Sequence, residues 1–510
     1  MKNVMVINMG LKSIRCIIFN EQGLKLGSSG VAINTAINDK CVEQSPDEWW
    51  DKAINVMKRA VYEAGEKNID YITVTASAAC LICTDTDGNS LYKALMISDK
   101  RAGEESKIIS TMPEFQEVYK ATGIDVYASL MLPKILWMKR NMPRIFEKTK
   151  FFMTPNDYLI YKLCGRFTTD YLNAAKYHYD VLEKKYPSKL LHALGISETT
   201  LPEVVDIGTM AGNVYDYIAD EVGICKNAKI IITSYDAICS FIGSGVTDEG
   251  EASDVSGTVT VFRVLSKKSE YKKSSKVYNM PFHLENANII GGSNNLGGGL
   301  IEWVKQCYYL KDEYPYEIME KEASESDIGA RGLIFLPYLL GERTPLWDDA
   351  ARGVFFGLER MHTRKDMTRA VFESTGFIDL DIIEAIKDTG VDVNSVRLSG
   401  GLARINLISK LKADILGVDV MVLSEFETTA MGGAMLALLG QGVYNSLKEA
   451  ADKFAVVRMI IKPDMEAHRK YKYIYELYKD TYKTVKELYV RRLNMLEGIR
   501  SNKEIQIENL

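Results

Sequence analysis

Apolar residues fall in short runs that glycine and small polar residues break at intervals. Val4–Asn8, Ile14–Phe19 and the stretch from Leu24 read as strands, with turns at Met9-Gly10-Leu11 and Glu21-Gln22-Gly23. The scheme of strand, glycine turn and strand returns in Ser253–Val264, around Ser256-Gly257-Thr258. One such unit opens each half of the sequence, which predicts a duplicated fold. Helical signals lie between. Ser45 suits an N-cap, Pro46 the first helical position and Asp47 and Glu48 the first turn, with apolar positions continuing at Ile54, Met57 and Val61. Residues 102–122 and 134–164 read largely as helix, Ile69–Ser77 and Ala79–Thr84 as strands, and 85–89 as a hairpin turn. In the second half, Leu300–Tyr309, 363–387 and the residues up to Leu416 read as helices, and Val396–Leu398 and Val418–Leu423 as strands. Thr428–Gly440 reads as a helix whose small residues admit another backbone or a ligand. Tyr471, Tyr475, Tyr478, Tyr482, Val485 and Tyr489 form an amphipathic stripe over 466–498. It serves either a helix packed on the second half or a homodimer seam.

The stretch 229–263 concentrates the chemistry. An apolar strand ends at Ile232, Asp236 follows, and Gly257-Thr258 turns the next strand pair. A carboxylate after a strand can take the proton of an acceptor hydroxyl. A Gly-Thr turn can hold a phosphate with backbone N–H groups and a hydroxyl. Asp236 also suits a helix cap, and the two roles are compatible. No GxxxxGK[ST] loop and no GxGxxG after a strand is present, so nucleotide handling requires other architecture.

Composition narrows the field. At 510 residues, with 46% hydrophobic and 26% charged, the chain is too long for one core and ordinary for a soluble globular protein. A net charge of −5 without a Lys/Arg-rich run gives no nucleic-acid footprint. No apolar run approaches the roughly 18 residues that span a bilayer. The N-terminus lacks the apolar region and cleavage site of a signal peptide. A cytoplasmic protein with no membrane partner is expected. The eight cysteines lie mostly in apolar runs and read as reduced core thiols. The single CxxC, Cys80 to Cys83, lacks further ligands at zinc spacing and reads as core strand.

Several motifs follow one another in order: Glu43-Gln44-Ser45-Pro46-Asp47-Glu48-Trp49-Trp50, Ser98-Asp99-Lys100-Arg101-Ala102, Thr122-Gly123 with Leu132-Pro133-Lys134, Asn156-Asp157-Tyr158 with Thr169-Asp170, Gly341-Glu342-Arg343-Thr344-Pro345 and Leu398-Ser399-Gly400-Gly401. On these the chain resembles the FGGY carbohydrate kinase family, nearest its xylulokinase-like branch, from residue 4 to residue 455. The resemblance implies an α/β fold of two RNase-H-like domains of the actin/Hsp70/sugar kinase type around a deep cleft. Residues 1–246 would be the sugar-binding domain with the catalytic Asp at its end, 247–465 the nucleotide-binding domain and 466–510 a C-terminal amphipathic helix and tail. It implies an ATP- and Mg²⁺-dependent kinase acting on a small-molecule sugar or polyol. Asp236 matches the catalytic base, and Gly10 and Gly257-Thr258 match the two phosphate turns. Gly298, Gly400, Gly401, Ala403 and Asn406 fall on the nucleotide side. Ser77, Ala79, Asp99 and Arg101 fall on the substrate side, and Asn8 and Asp236 at the hydrated metal.

Departures from the family pattern qualify this picture. The first phosphate turn, usually an acid, any residue, then Gly-Thr, is Asn8-Met9-Gly10-Leu11 here. It lacks the charge and the hydroxyl, and Asn8 keeps only a carbonyl acceptor. Lys12 offers a compensating ammonium, so Lys12→Met should lower ATP turnover; unchanged turnover removes Lys12 from the site. Ser77-Ala78-Ala79-Cys80 replaces the Gln-Met-His-Gly stretch of xylulokinase-like members, which points away from D-xylulose bound in the usual way. Val259 stands where the second turn usually continues with Ser. The alternative function is a catalytically weakened relative that binds sugar or nucleotide without turnover.

Overall fold

The computed structural model describes residues 1–268, 274 and 276–508, with side chains through 499. The chain divides into two compact units, 1–245 with 427–455 and 246–426 with 456–510. The first break lies one residue from the boundary expected from sequence. Residues 427–455, by contrast, fold with the first unit rather than the second.

In the first unit, β1 (Asn3–Met9), β2 (Ser13–Asn20) and β3 (Lys25–Ala32) form the expected antiparallel meander. Every residue of β1 is buried, as a central strand covered on both faces requires. Helix α1 (Pro46–Ala64) starts as its sequence dictates, with the Ser45 side chain accepting from Glu48 N–H and Pro46 in the first turn. It lays Trp49, Ala53, Met57 and Ala60 into the core. β4 (Tyr71–Ala76) joins β1 in parallel. Beyond the buried helices α2 (Met131–Asn141) and α3 (Pro155–Cys164), β5 (Met210–Asn213) and β6 (Lys229–Ile231) complete a six-stranded sheet ordered β5-β6-β4-β1-β2-β3. The turn over 85–89 forms as expected, with an antiparallel bridge between Thr84 and Ser90 and Leu91 N–H donating to the Cys83 carbonyl at 2.8 Å. Ile82–Thr84 pairs in addition with a strand at Phe151–Met153. That strand interrupts the helix expected across 134–164, and Pro143 and Pro155 each stand at the first position of a new helix that runs on C-terminal to them.

Helix α4 (Asp236–Gly243) closes the first unit's path through the chain and crosses the small-residue helix Thr428–Gly440. The two backbones touch. A Cβ on Gly432 would lie 1.8 Å from the Cys239 carbonyl oxygen, and one on Gly243 would lie 1.9 Å from that of Thr428. This contact explains why Thr428–Gly440 belongs to the first unit: its glycines admit the α4 backbone.

The second unit repeats the plan. β7 (Glu251–Ser256) and β8 (Thr260–Ser266) are the antiparallel pair around Gly257-Thr258. β9 (Tyr278–Phe282) and β10 (Ala287–Ser293) extend the sheet on one side. After α5 (Gly298–Tyr308) and α6 (Arg364–Lys387), β11 (Ser395–Gly400) joins β7 in parallel, as β4 joins β1. Helix α7 (Asn406–Leu416), β12 (Asp419–Leu423) and β13 (Val457–Ile461) complete the order β9-β10-β8-β7-β11-β12-β13. Each unit thus has a meander whose first strand takes a parallel neighbour, the duplication its two glycine turns predict. Helix α8 (Met465–Glu508) buries Tyr471, Tyr475, Tyr478, Tyr482 and Tyr489 in the second unit's core, which assigns the tyrosine stripe to packing.

Candidate active site

Asp236 is the first residue of α4, directly after Tyr235 at the N-cap, where the helix N-terminus favours a negative charge. The connection from β6 is held from several sides. Ser234 Oγ donates to Asp170 Oδ1 at 2.9 Å, Asn156 Nδ2 donates to the Ser234 and Val74 carbonyls at 3.3 and 3.2 Å, and the Thr233 and Thr73 hydroxyls share a 2.7 Å bond. Burial raises the Asp170 carboxyl to about 6 against the hydrogen bonds it accepts. The Asn-Asp-Tyr and Thr-Asp motifs thus build the seat of Asp236. Its carboxylate accepts from Ala237 N–H at 2.7 Å and from Ser77 Oγ at 3.0 Å.

Ser77, expected beside a substrate, therefore touches the expected base itself. Its N–H donates to the Met9 carbonyl at 3.1 Å, which ties the Ser77 loop to the first glycine turn. Ala79 adopts a left-handed φ of 55°, and its carbonyl accepts from Lys134 Nζ at 2.6 Å. Lys134 is wholly buried and also donates to the Met96 carbonyl at 2.8 Å; burial lowers its ammonium to about 8. Asn8 is buried on β1, with Nδ2 unpartnered. Gly10 donates its N–H to the Ser13 carbonyl, and Lys12 is exposed. Asp99 and Arg101 form a buried ion pair. Asp99 also accepts from Val42 N–H, and Arg101 also reaches Glu43 at 2.8 Å and stacks over Trp137.

In the second unit, three glycine segments separate in sequence converge. Gly298 N–H donates to the Gly257 carbonyl at 2.7 Å, and the Gly297 and Gly299 N–H groups donate to the Thr258 carbonyl at 2.8 and 3.2 Å. Gly400 pairs with Ser256 across β11 and β7. The glycines fall into two kinds. A Cβ on Gly400 would lie 2.5 Å from the Ser256 carbonyl oxygen, and Gly400 has φ +88°, so packing and backbone both demand glycine. Gly257 and Gly401 have no positive φ, and a Cβ on either would meet nothing of its own unit nearer than 3.8 Å. The same holds for Gly10, at 3.9 Å. Nothing in their own units requires glycine at these positions, whereas a ligand approaching the backbone would. Ala403 is buried in the core, so its methyl packs inward, while Asn406 is exposed at the start of α7.

These residues fit the groups the fold implies. Gly257 and Gly401 leave the open backbone that a phosphate chain needs. Among the described residues no group of three or more His, Cys, Asp or Glu could hold a metal ion. The Asn8 carbonyl and the Asp236 carboxylate fit Mg²⁺ that arrives with nucleotide and keeps most of its waters. All eight cysteines are free thiols. Lys134 and the Ser234–Asp170 bond are roles the sequence did not disclose, although both residues lie inside its motifs.

A duplicated mixed sheet, with a seated carboxylate in one unit and an open glycine cradle in the other, defines a two-unit phosphotransferase architecture. The chain matches the N-terminal domain of the FGGY family of carbohydrate kinases over residues 3–243 and the C-terminal domain over 252–440. It belongs to that family and is a carbohydrate kinase with an alcohol group as acceptor. It is 26% identical over 484 residues to the xylulose kinase of Staphylococcus xylosus, covering 94% of this chain and 100% of that one. Its fold is shared with gluconate kinase from Lactobacillus acidophilus, at TM-score 0.88 and 24% identity over 96% of this chain and 99% of the other. It is shared also with ligand-bound xylulose kinase from Lactobacillus acidophilus, at TM-score 0.89 and 23% identity over 96% and 100%. Among the described residues no helix is long and apolar enough to cross a membrane.

Proposed function

We propose that this kinase transfers the γ-phosphate of ATP to a hydroxyl of a sugar or polyol, with Asp236 as general base. The acceptor is held on the first unit and the phosphate chain on the second, along Gly257-Thr258, Gly298 and Gly401. Asp236 accepts the hydroxyl proton as the oxygen bonds to phosphorus; Ser77, donating to Oδ2, fixes the carboxylate's rotation. Mg²⁺, when bound, neutralises charge on the phosphate oxygens, with Asn8 and Asp236 as the residues that would hold its waters. Asp99 and Arg101 act as a brace that ties the chain around Glu43 to Trp137, without presenting charge to substrate. In the Ser77–Cys80 loop the Ser77 hydroxyl and the Ala79 carbonyl are engaged within the protein. A substrate other than D-xylulose in its usual pose follows from that.

The open pair Gly257 and Gly401 is the observation that carries the nucleotide half of this reading. Gly257→Ala and Gly401→Ala should each raise the KM for ATP about tenfold or more while leaving the melting temperature near wild type, since each methyl displaces only a ligand. Gly400→Ala should instead destabilise the fold by about 1–3 kcal/mol. Equal stability losses at all three positions with ATP kinetics unchanged would remove the cradle.

A further inference from the structure

A wholly buried charge cluster lies beneath the second glycine turn. Lys412 of α7 donates through Nζ to Asp254 of β7 and, at 2.5 Å, to Oδ2 of Asp379 on α6; the side chains of all three residues are at most 1% exposed. One ammonium faces two carboxylates. Burial and the neighbouring Asp254 charge hold the Asp379 carboxyl well above the usual range. Buried ion clusters of this kind contribute little net stability compared with well-packed apolar side chains. The core around it, with Ile378, Ile382, Ile408 and Ile415, would readily accommodate such side chains.

The cluster reaches the turn through a single hydrogen-bond chain. Asp254 accepts at Oδ1 from Ser256 Oγ at 2.6 Å, and Ser256 Oγ shares a 3.0 Å bond with Thr260 Oγ1. Because Ser256 donates to the carboxylate, Thr260 is the donor in the second bond. Ser256 and Thr260 face each other in register, so they are the two stems from which Gly257, Thr258 and Val259 loop out. Thr260 N–H also donates to Asn294 Oδ1 at 2.8 Å, just ahead of the Gly297–Gly299 run. Lys412 stands on the helix that begins at Asn406, so one chain links the helix after Gly400-Gly401 to both stems of the turn.

We propose that Lys412 and Ser256 are positioning residues of the phosphate cradle: the buried Lys412–Asp254–Ser256–Thr260 chain holds both stems of the Gly257-Thr258 turn in the form that takes nucleotide. Neither residue touches the nucleotide. The inference rests on the cradle reading above and adds to it a determinant of affinity remote from the ligand. The chain orders the turn before nucleotide arrives, so breaking it moves the ordering cost into the binding step. Asp254 keeps Ser256 engaged only while Lys412 fixes the carboxylate, so the two residues act in series.

The test is a double-mutant cycle on ADP affinity, measured by calorimetry with the full chain, alongside melting temperatures. Ser256→Ala should weaken ADP about tenfold with a melting temperature near wild type, and Lys412→Met should weaken it to a similar extent. The double variant should bind no more weakly than the poorer single, because both changes break one chain. Lys410→Met, a surface change on the same helix, should bind as wild type. Should Lys412→Met fail to fold, Ser256→Ala with Asp254→Asn carries the test: the amide has one acceptor oxygen and cannot take both Ser256 and Lys412, so Asp254→Asn should weaken ADP about as much as Ser256→Ala, and their double variant no more than the poorer single. Multiplying losses in the double variant, or Ser256→Ala that lowers stability but not ADP affinity, overturns the proposal while leaving the cradle intact. A wild-type protein that binds no ADP overturns both.

Discussion

Asp236→Asn is expected to lower kcat by about 10²–10⁴-fold, the usual contribution of a positioned general base, equivalent to about 3–5 kcal/mol of transition-state stabilisation. The substitution keeps the side chain's shape and its place at the start of α4: Ala237 N–H can still donate to the amide oxygen, and the Ser77 hydroxyl, which meets the other carboxylate oxygen, can turn to accept from the amide NH2. It removes the atom that takes the proton. ADP affinity and melting temperature should therefore stay near wild type, and the loss should appear in kcat rather than in the KM for ATP. Ser77→Ala offers a graded companion. It frees the carboxylate to rotate without removing it, so its loss should be smaller. Steady-state ADP release with both variants measures this directly. Asp236→Asn with kcat within threefold of wild type would remove Asp236 from the base role.

Gly432→Ala is expected to be the most damaging single methyl in the chain. The added carbon would lie 1.8 Å from the Cys239 carbonyl oxygen, well inside any real contact, and the obstacle is backbone that cannot rotate away. The Thr428–Gly440 helix and α4 would have to separate. That costs at least about 3 kcal/mol, a fall of about 6–12 °C in melting temperature for a unit of this size. Because α4 begins at Asp236, activity should fall with the fold. Gly243→Ala, which meets the Thr428 carbonyl oxygen at 1.9 Å from the other side, should behave alike. The pair separates two kinds of loss: Asp236→Asn is folded and inactive, Gly432→Ala is inactive because it is poorly folded. Thermal unfolding followed by circular dichroism distinguishes them. A Gly432→Ala melting curve that overlays wild type would contradict the packing described.

How far the sequence reveals all this depends on whether the cause is local. The meander, the Ser45 cap and the Pro46 start rest on residues within a few positions of one another, and each stands where its sequence puts it. The two glycine turns were legible as a repeat because each carries its own strand pattern. The strand at Phe151–Met153 was not, since three apolar residues between helical runs look the same in either state until Ile82–Thr84 arrives to pair with them. The placement of residues 427–455 in the first unit was equally hidden. Its cause is the contact between Gly432 and Gly243, nearly two hundred residues apart in the chain. At the site, Asp236 and Gly257-Thr258 could be found by motif, but the partners that seat them could not. Lys412 reaches Asp254 across 158 positions, and Ser77 reaches Asp236 across 159. Asp99 and Arg101 show the reverse. Their motif suggested a substrate contact, while their buried ion pair and its reach to Glu43 favour the proposed brace.

The altered first turn bears on how the catalytic load is shared. Asn8 brings no charge and Leu11 no hydroxyl, whereas the second turn keeps its hydroxyl at Thr258, with Ser256 bonded to Asp254 and the Gly257 and Thr258 carbonyls accepting from the Gly297–Gly299 N–H groups. Catalysis by this chain should depend on Asp236 and the second turn more heavily than an acid-bearing first turn would require.

The most direct test of the central claim is ADP release by the purified chain with ATP and Mg²⁺ across a panel of ketoses, polyols and sugar acids, with Asp236→Ala as the control. Substrate-dependent ADP release by wild type, abolished in Asp236→Ala, is the result predicted. Tight ATP binding with no turnover on any acceptor, or turnover that survives Asp236→Ala, would contradict it.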